Sequence, residues 1–147
     1  MKPLGSVVAL YTTTPHKETL EHQEIALDLK GIIGDKHYGK DTSRSILISA
    51  TKSYEMTKVS LGVTMPQGYL GENLLFDFDP YDLPVGTQLH IGSAVLEITQ
   101  NCTLCNHLSE LDKRIPKLLR HDRGIFAKVV HPGTIQKTDT VYIEVME

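Results

Sequence analysis

The chain has 147 residues, with 15 Lys plus Arg against 18 Asp plus Glu, a formal charge of -3 and 40% hydrophobic residues. That length suits one domain, 1–147, able to bury a core without metal or disulfide staples, and the lack of a long basic block excludes a general nucleic-acid binder. No apolar run approaches the roughly 20 residues of a membrane span, and Met1 to Thr14 lacks the charged start, apolar core and small-residue cleavage site of a leader, so a soluble, cytoplasmic chain without membrane partners is expected.

In chain order, Gly5 to Tyr11 is an apolar run and Glu24 to Leu29 alternates Ile25, Leu27 and Leu29 against polar neighbours. Both predict strands, with Thr12 to Leu20 a polar connection between them. Gly31 to Lys40, reading GIIGDKHYGK, combines three glycines with Asp35, Lys36 and His37. Such a loop either holds a ligand closely or is a glycine-rich turn with a solvated charged tip. Ser45 to Ser49 predicts a short strand led by Arg44, and Ala50 to Ser60 a short helix, from the helical spacing of Tyr54 with Lys58 and Met56 with Val59. Pro66 with Gly62 and Gly68 breaks that helix, and Tyr69 to Leu74 follows, where Glu72 and Asn73 line a pocket or satisfy a turn.

Thr87 to Ile91 and Ala94 to Thr99 predict a hairpin, because Gly92-Ser93 suits a type II′ turn. Ala94, Leu96 and Ile98 share one face of the second strand, which delivers Gln100 to Cys105 to a sheet rim. Beyond it, Ser109 to Asp112 has the form of a helix start, and Leu108, Leu111, Ile115, Leu118 and Leu119 form an apolar stripe that Pro116 divides into two short pieces. Gly124 to Val130 and Thr140 to Val145 predict the closing strands, with His131 to Thr134 a type II turn. Roughly seven or more strands against a few short helices predict a mainly β fold, a β-rich α+β antiparallel or mixed barrel.

The only two cysteines, Cys102 and Cys105, are spaced C-x-x-C. This is no secreted disulfide framework and agrees with a reducing compartment. A thiolate is both nucleophile and soft metal ligand, although cysteine is also a common small buried hydrophobe. A zinc site from Cys102, Cys105 and His107 needs a distant fourth ligand such as His121 or His131, and a thioredoxin-like dithiol wants a helix start in a βαβ context that is lacking here. No nucleotide-binding or hydrolase motif of the familiar kinds occurs.

Taken together, the polar loops resemble a family, the MOSC domain, named for the C-terminal domain of molybdenum cofactor sulfurases. GIIGDKHYGK resembles its G-x-x-G-D-[RK]-H loop, RSILIS the following strand, GYLGENLLF its GENL motif, DLPVGTQLHIGSAVLEITQ its central hairpin and RGIFAKVVHPGTIQKTDTVYI its closing strands. The resemblance implies a MOSC-type β-barrel that binds molybdenum cofactor, or molybdopterin, through an essential cysteine. In many members that cysteine ends T-Q-P-R-x-P-C. Aligning Thr99 and Gln100 puts Cys105 at the cysteine, as catalytic residue and molybdenum ligand, while Asn101, Cys102 and Leu104 replace the Pro, Arg and Pro.

Gly34, Asp35, Lys36, His37, Arg44, Glu72, Asn73, Thr99, Gln100 and Arg123 are the expected cofactor-binding residues. In those roles glycines allow close approach, Asp35 accepts from pterin N–H groups or orients His37, cations meet the phosphate, and Glu72 and Asn73 brace the pocket. The implied activity is that of a small oxidoreductase reducing N-hydroxylated substrates with electrons from a separate reductase. The alternative is a molybdenum cofactor or sulfur carrier that uses a Cys105 thiolate or persulfide and a sulfur donor. No pyridoxal phosphate is expected, because 147 residues spent on this fold leave no room for a sulfurase domain.

Overall fold

The computed structural model describes residues 1–102 and 108–145. Among them, eleven strands run in chain order as β1 (Lys2–Thr13), β2 (Thr19–His22), β3 (Glu24–Asp28), β4 (Gly31–Ile32), β5 (Ile46–Ala50), β6 (Leu74–Phe76), β7 (Gln88–Ile91), β8 (Ala94–Asn101), β9 (Ile125–His131), β10 (Gly133–Gln136) and β11 (Thr140–Ile143). Three helices join them: α1 (Thr51–Leu61), α2 (Leu108–Leu111) and α3 (Ile115–Leu118). Seven of the strands close a barrel in the order β11-β7-β8-β9-β5-β6-β1, sealed by pairing of β1 with β11. β5 and β6 run parallel and the other barrel pairs antiparallel. A mainly β, mixed barrel with few short helices is therefore what the chain forms.

Period-two patterning explains the barrel. In β8, Ala94, Leu96 and Ile98 are buried while Val95, Glu97 and Thr99 are only half-buried. Ile46 and Ile48 of β5, Leu89 and Ile91 of β7, and Ile125, Ala127 and Val129 of β9 fill the same core. Each Ile, Leu or Val among them contributes about 2 kcal/mol when taken fully out of water. The β7–β8 hairpin turns at Gly92, whose positive φ of 58 with none at Ser93 matches the type II′ turn expected there. A second sheet, β10-β3-β4, adds Ile25, Leu27, Ile32 and Ile135 to this core.

The expected helix after β5 is α1, and it ends where Gly62 takes a left-handed φ of 68 and donates to the Lys58 carbonyl. Its buried face is polar: Ser53 Oγ bonds the Tyr81 hydroxyl at 2.6 Å and the Asp122 carbonyl, while Lys52 bridges Asp79 and Asp122. These contacts fix the segment leading into β9. A second apolar cluster, Met65, Leu70, Leu108, Ile115 and Leu119, packs α2 and α3 beside α1; the stripe does fall into two short pieces, but the break is at 112–114 and Pro116 sits in the first turn of α3.

Three local expectations are corrected. Thr12–Leu20 is not merely a connection, because β2 folds back on β1 with Leu10 opposite His22 and Thr13 opposite Thr19. Its turn uses Lys17 at φ 65 in place of a glycine, and its side chains are mostly exposed, so neither turn chemistry nor alternation announces it. His131 to Thr134 is no type II turn; β9 and β10 belong to different sheets, and Pro132 marks the passage between them. Gly133 is needed there for space, since a Cβ would lie 2.5 Å from the Ser93 backbone. Ser109 sits inside α2 instead of starting it, and Asp112 accepts the backbone N–H of Arg114 at 2.8 Å before α3.

Candidate functional site at the barrel rim

The Gly31–Lys40 loop leaves β4 as successive tight turns, held by bonds from Asp35 N to Ile32 O, Tyr38 N to Asp35 O and Lys40 N to His37 O. At its centre the Asp35 side chain is 1% exposed. Its Oδ1 accepts from Thr13 N at 2.9 Å and Asn73 Nδ2 at 3.3 Å; its Oδ2 accepts from His37 N at 3.1 Å and meets His37 Nδ1 at 3.2 Å. Four partners match the roughly four acceptor sites of a carboxylate, which leaves none for a pterin N–H. Burial opposes its charge, but the bonds from the His37 ring and the Thr13 and His37 amides outweigh it and hold the carboxyl below its ordinary range. Of the two roles expected for Asp35, its geometry supplies the orientation of His37.

Asn73 is equally committed. Its Oδ1 accepts from Leu47 N at 2.9 Å, and its Nδ2 donates to Tyr11 O at 3.1 Å as well as to Asp35. The side-chain amide thus joins β5, β1 and the Asp35 loop where the ladder of β6 has not yet begun. Glu72 next to it is 2% exposed; Oε2 accepts from the Tyr54 hydroxyl at 2.7 Å, while Oε1 has no partner among the described residues. Burial pushes its carboxyl up to about 7. Glu72 and Asn73 brace the rim from within.

Beside this frame lies a cavity of about 280 Å³ lined by His37, Lys40, Asp41, Arg44 and Phe126. The Arg44 guanidinium stacks over the Phe126 ring, 4.8 Å from its centroid. Stacking uses the face of the guanidinium and leaves its N–H edge for an anion. Gly34 and Lys36 line a neighbouring hollow of about 530 Å³ with Lys17 and Lys40, and Gly34 holds a φ of 95. Thr99 reaches the same region by donating to the Ser43 carbonyl, and exposed Gln100 pairs with Phe126. Arg123 is buried behind, its carbonyl accepting from Ser49 Oγ at 2.8 Å.

These contacts bring Gly34, Asp35, Lys36, His37, Arg44, Asn73, Thr99 and Gln100 to the surroundings of the Asp35 loop, with Glu72 beneath Asn73, whereas Arg123 lies against Ser49, next to Gly124 of a separate hollow. The MOSC domain model matches residues 34–142. The chain belongs to the MOSC domain family. Its fold is similar to the YuaD protein of Bacillus subtilis at 18% identity and a TM-score of 0.84, covering 97% of both chains. It is also similar to YiiM of Escherichia coli, at 17% identity and a TM-score of 0.72 over 97% of this chain and 71% of that one. YiiM of Geobacillus stearothermophilus, at 14% identity, has a TM-score of 0.67 over 98% of this chain and 75% of that one. No curated protein matches the chain in sequence.

A MOSC domain implies molybdenum cofactor, so the rim must suit a group that carries a phosphate and a metal already bound by sulfur. Among the described residues, Arg44, Lys40, Lys36 and Lys17 form no ion pair, although carboxylates are plentiful in the chain. Unneutralised cations lining two hollows that share Lys40 fit an anionic ligand, and Phe126 offers an aromatic wall. The described residues contain no group of three or more His, Cys, Asp or Glu side chains able to hold a metal ion. Cys105, the expected metal ligand, and His107, weighed for zinc, lie outside the described residues.

Cys102 directly follows β8. It is buried, its N–H donates to the Gly124 carbonyl at 3.0 Å, and it lines a hollow of about 240 Å³ with Arg120, His121 and Tyr81. Sequence reasoning did not select Lys40, Phe126 or Arg120 for this MOSC site. Lys40 stood within the quoted loop, but nothing in the sequence marks Phe126 as the surface on which Arg44 rests. No helix among the described residues is long and apolar enough to cross a membrane.

Proposed function

We propose that this MOSC protein binds molybdenum cofactor at the barrel rim and works as a small oxidoreductase that reduces N-hydroxylated compounds. The cavity carrying this reading is the one where Arg44 lies on Phe126 beside Lys40 and His37. Arg44, Lys40 and Lys36 would meet the phosphate, Gly34 allows close approach, and the Cys105 thiolate would ligate the metal. When bound, the cofactor supplies the two electrons that cleavage of an N–O bond consumes, received from a separate reductase. The protein's own part is to orient and to handle protons: Asp35 and Asn73 fix the loop, Thr99 fixes the turn before Arg44, and Glu72 braces the wall beneath.

The test is molybdenum and pterin analysis of protein made in a host that produces the cofactor, with Cys105→Ala and Cys102→Ala beside wild type. Molybdenum near one per chain that is lost only with Cys105→Ala supports the reading. Wild type without molybdenum or pterin, under conditions that load a control protein, removes it. The second reading is a cofactor or sulfur carrier that uses the Cys105 thiolate or persulfide, with the buried Cys102 beside Arg120 and His121 as a second sulfur site. Cofactor bound tightly without turnover of an N-hydroxylated substrate would favour it.

A further inference from the structure

We propose that the exposed cations of the segment after α2, Lys113, Lys117 and Arg120 with His121, form the docking face for the separate reductase, a redox protein with an acidic surface. The proposal rests on the oxidoreductase reading and goes beyond it in naming where the electron donor seats and by what charge it is recognised. Two observations carry it.

The first is uncompensated charge. Residues 112–123 hold five Lys or Arg against two Asp, in a chain whose formal charge is -3. Neither Asp neutralises the face, because Asp112 is bound to Arg114 at 2.7 Å and Asp122 to Lys52 at 2.9 Å. Lys113, Lys117 and Arg120 are exposed and form no ion pair among the described residues, although Glu110 precedes them in α2 and Asp82 shares a hollow with Arg120. Ile115 and Leu119 are fully buried in the cluster with Leu108, so the backbone bearing these cations is fixed to the molecule. Fixed like charges repel one another, and an opposing acidic surface removes that repulsion and speeds encounter. Leu111, 41% exposed at the end of α2, and exposed Pro116 add apolar surface to the same segment. Nucleic acid or an anionic membrane would call for a larger basic surface than this one in a net acidic chain.

The second is place. Arg120 and His121 line the 240 Å³ hollow with Cys102, whose N–H bonds the Gly124 carbonyl. Leu108 packs with Ile115 and Leu119. Cys102 and Leu108, the described residues on either side of the stretch that carries Cys105, thus both rest against the segment bearing the cations. This hollow shares no lining residue with the two that would take the phosphate, so docking and cofactor retention use different side chains. Each turnover takes two electrons from the partner, which is oxidised, and with two protons converts R₂N–OH to R₂NH and water.

Two measurements test it. In cofactor-free protein at low salt, a flavodoxin or a plant-type ferredoxin, both acidic carriers, should shift amide NMR signals centred on Lys113, Lys117, Arg120 and His121, and about 0.5 M NaCl should abolish the shifts. Absence of shifts, shifts centred on Lys17, Lys36 and Lys40, or the same shifts from phosphatidylglycerol vesicles or a DNA duplex overturn the docking face. In molybdenum-loaded protein given benzamidoxime, Lys113→Glu/Lys117→Glu should match wild type in kcat with dithionite as reductant. With the photoreduced carriers, its kcat/KM for the carrier should fall about tenfold or more at low salt and lose its salt dependence. Turnover with dithionite that no carrier drives, or carrier-driven turnover that the double variant leaves unchanged, overturns the docking face alone. Loaded wild type that turns over with neither dithionite nor a carrier overturns the oxidoreductase reading and the donor role with it.

Discussion

Asp35 and Glu72 are two buried carboxyls of one rim with opposite electrostatics. Asp35 is surrounded by donors and held below its ordinary range; Glu72 has one tyrosine hydroxyl, and burial raises it to about 7. For Glu72 the folded chain keeps a proton that the unfolded chain releases above its ordinary value of 4.5. Its stabilising share is therefore whole below that value and declines as pH rises through about 7. Between about pH 5 and about pH 8, urea unfolding should show wild type losing stability on the order of 3 kcal/mol relative to Glu72→Gln. Asp35 contributes no slope in that window, because its stabilisation is lost only as pH falls through its depressed folded value. Equal pH dependence in both proteins would show that Glu72 ionises without cost. Asn73→Asp should be worse than Asn73→Ala, which itself costs at least about 2 kcal/mol, since a carboxylate would face the Tyr11 carbonyl and Asp35 Oδ1; thermal unfolding of both variants checks the order.

At the scale of elements, the strands most legible in the sequence were those whose alternation faces the barrel core, such as β8 with Ala94, Leu96 and Ile98. Ile98→Ala should cost about 2–5 kcal/mol for the cavity it leaves, measurable as a shift in urea midpoint. β2 and β6 were illegible for physical reasons. β2 exposes nearly all its side chains, and β6 is three buried residues without alternation. The rim divides likewise. Asp35, Glu72 and Asn73 stood out as a motif, but whether they faced a ligand or the fold depended on partners as remote as Thr13, Tyr54 and Leu47. Phe126 read as one more strand residue, because its role comes from Arg44 lying over it. Two glycines separate sequence permissiveness from packing. Gly62→Ala strains a left-handed helix end with nothing within 4 Å, at about 1 kcal/mol, while Gly133→Ala drives a methyl into the Ser93 backbone and should lower the melting temperature more.

Across the whole molecule, stability should be graded from the barrel outward. Amides of β5, paired on both sides by β6 and β9, should exchange with deuterium far more slowly than those of β2, an outer strand that among the described residues pairs only with β1. Exchange in β2 as slow as in β5 would mean that its outer edge is protected by something beyond the described residues. The long strand β1 serves three partners in turn: β11 from Lys2 to Ser6, β6 from Val7 to Leu10 and β2 from Leu10 to Thr13. Its seam with β11 joins the first strand to the last, Lys2 opposite Ile143. During synthesis the ribosome therefore releases the opening strand long before its closing neighbour exists. Until Thr140–Ile143 emerge, one edge of the nascent sheet stays open to other chains. Ring closure then waits until β11 is available, with a loop-closure cost that spans every strand between the two.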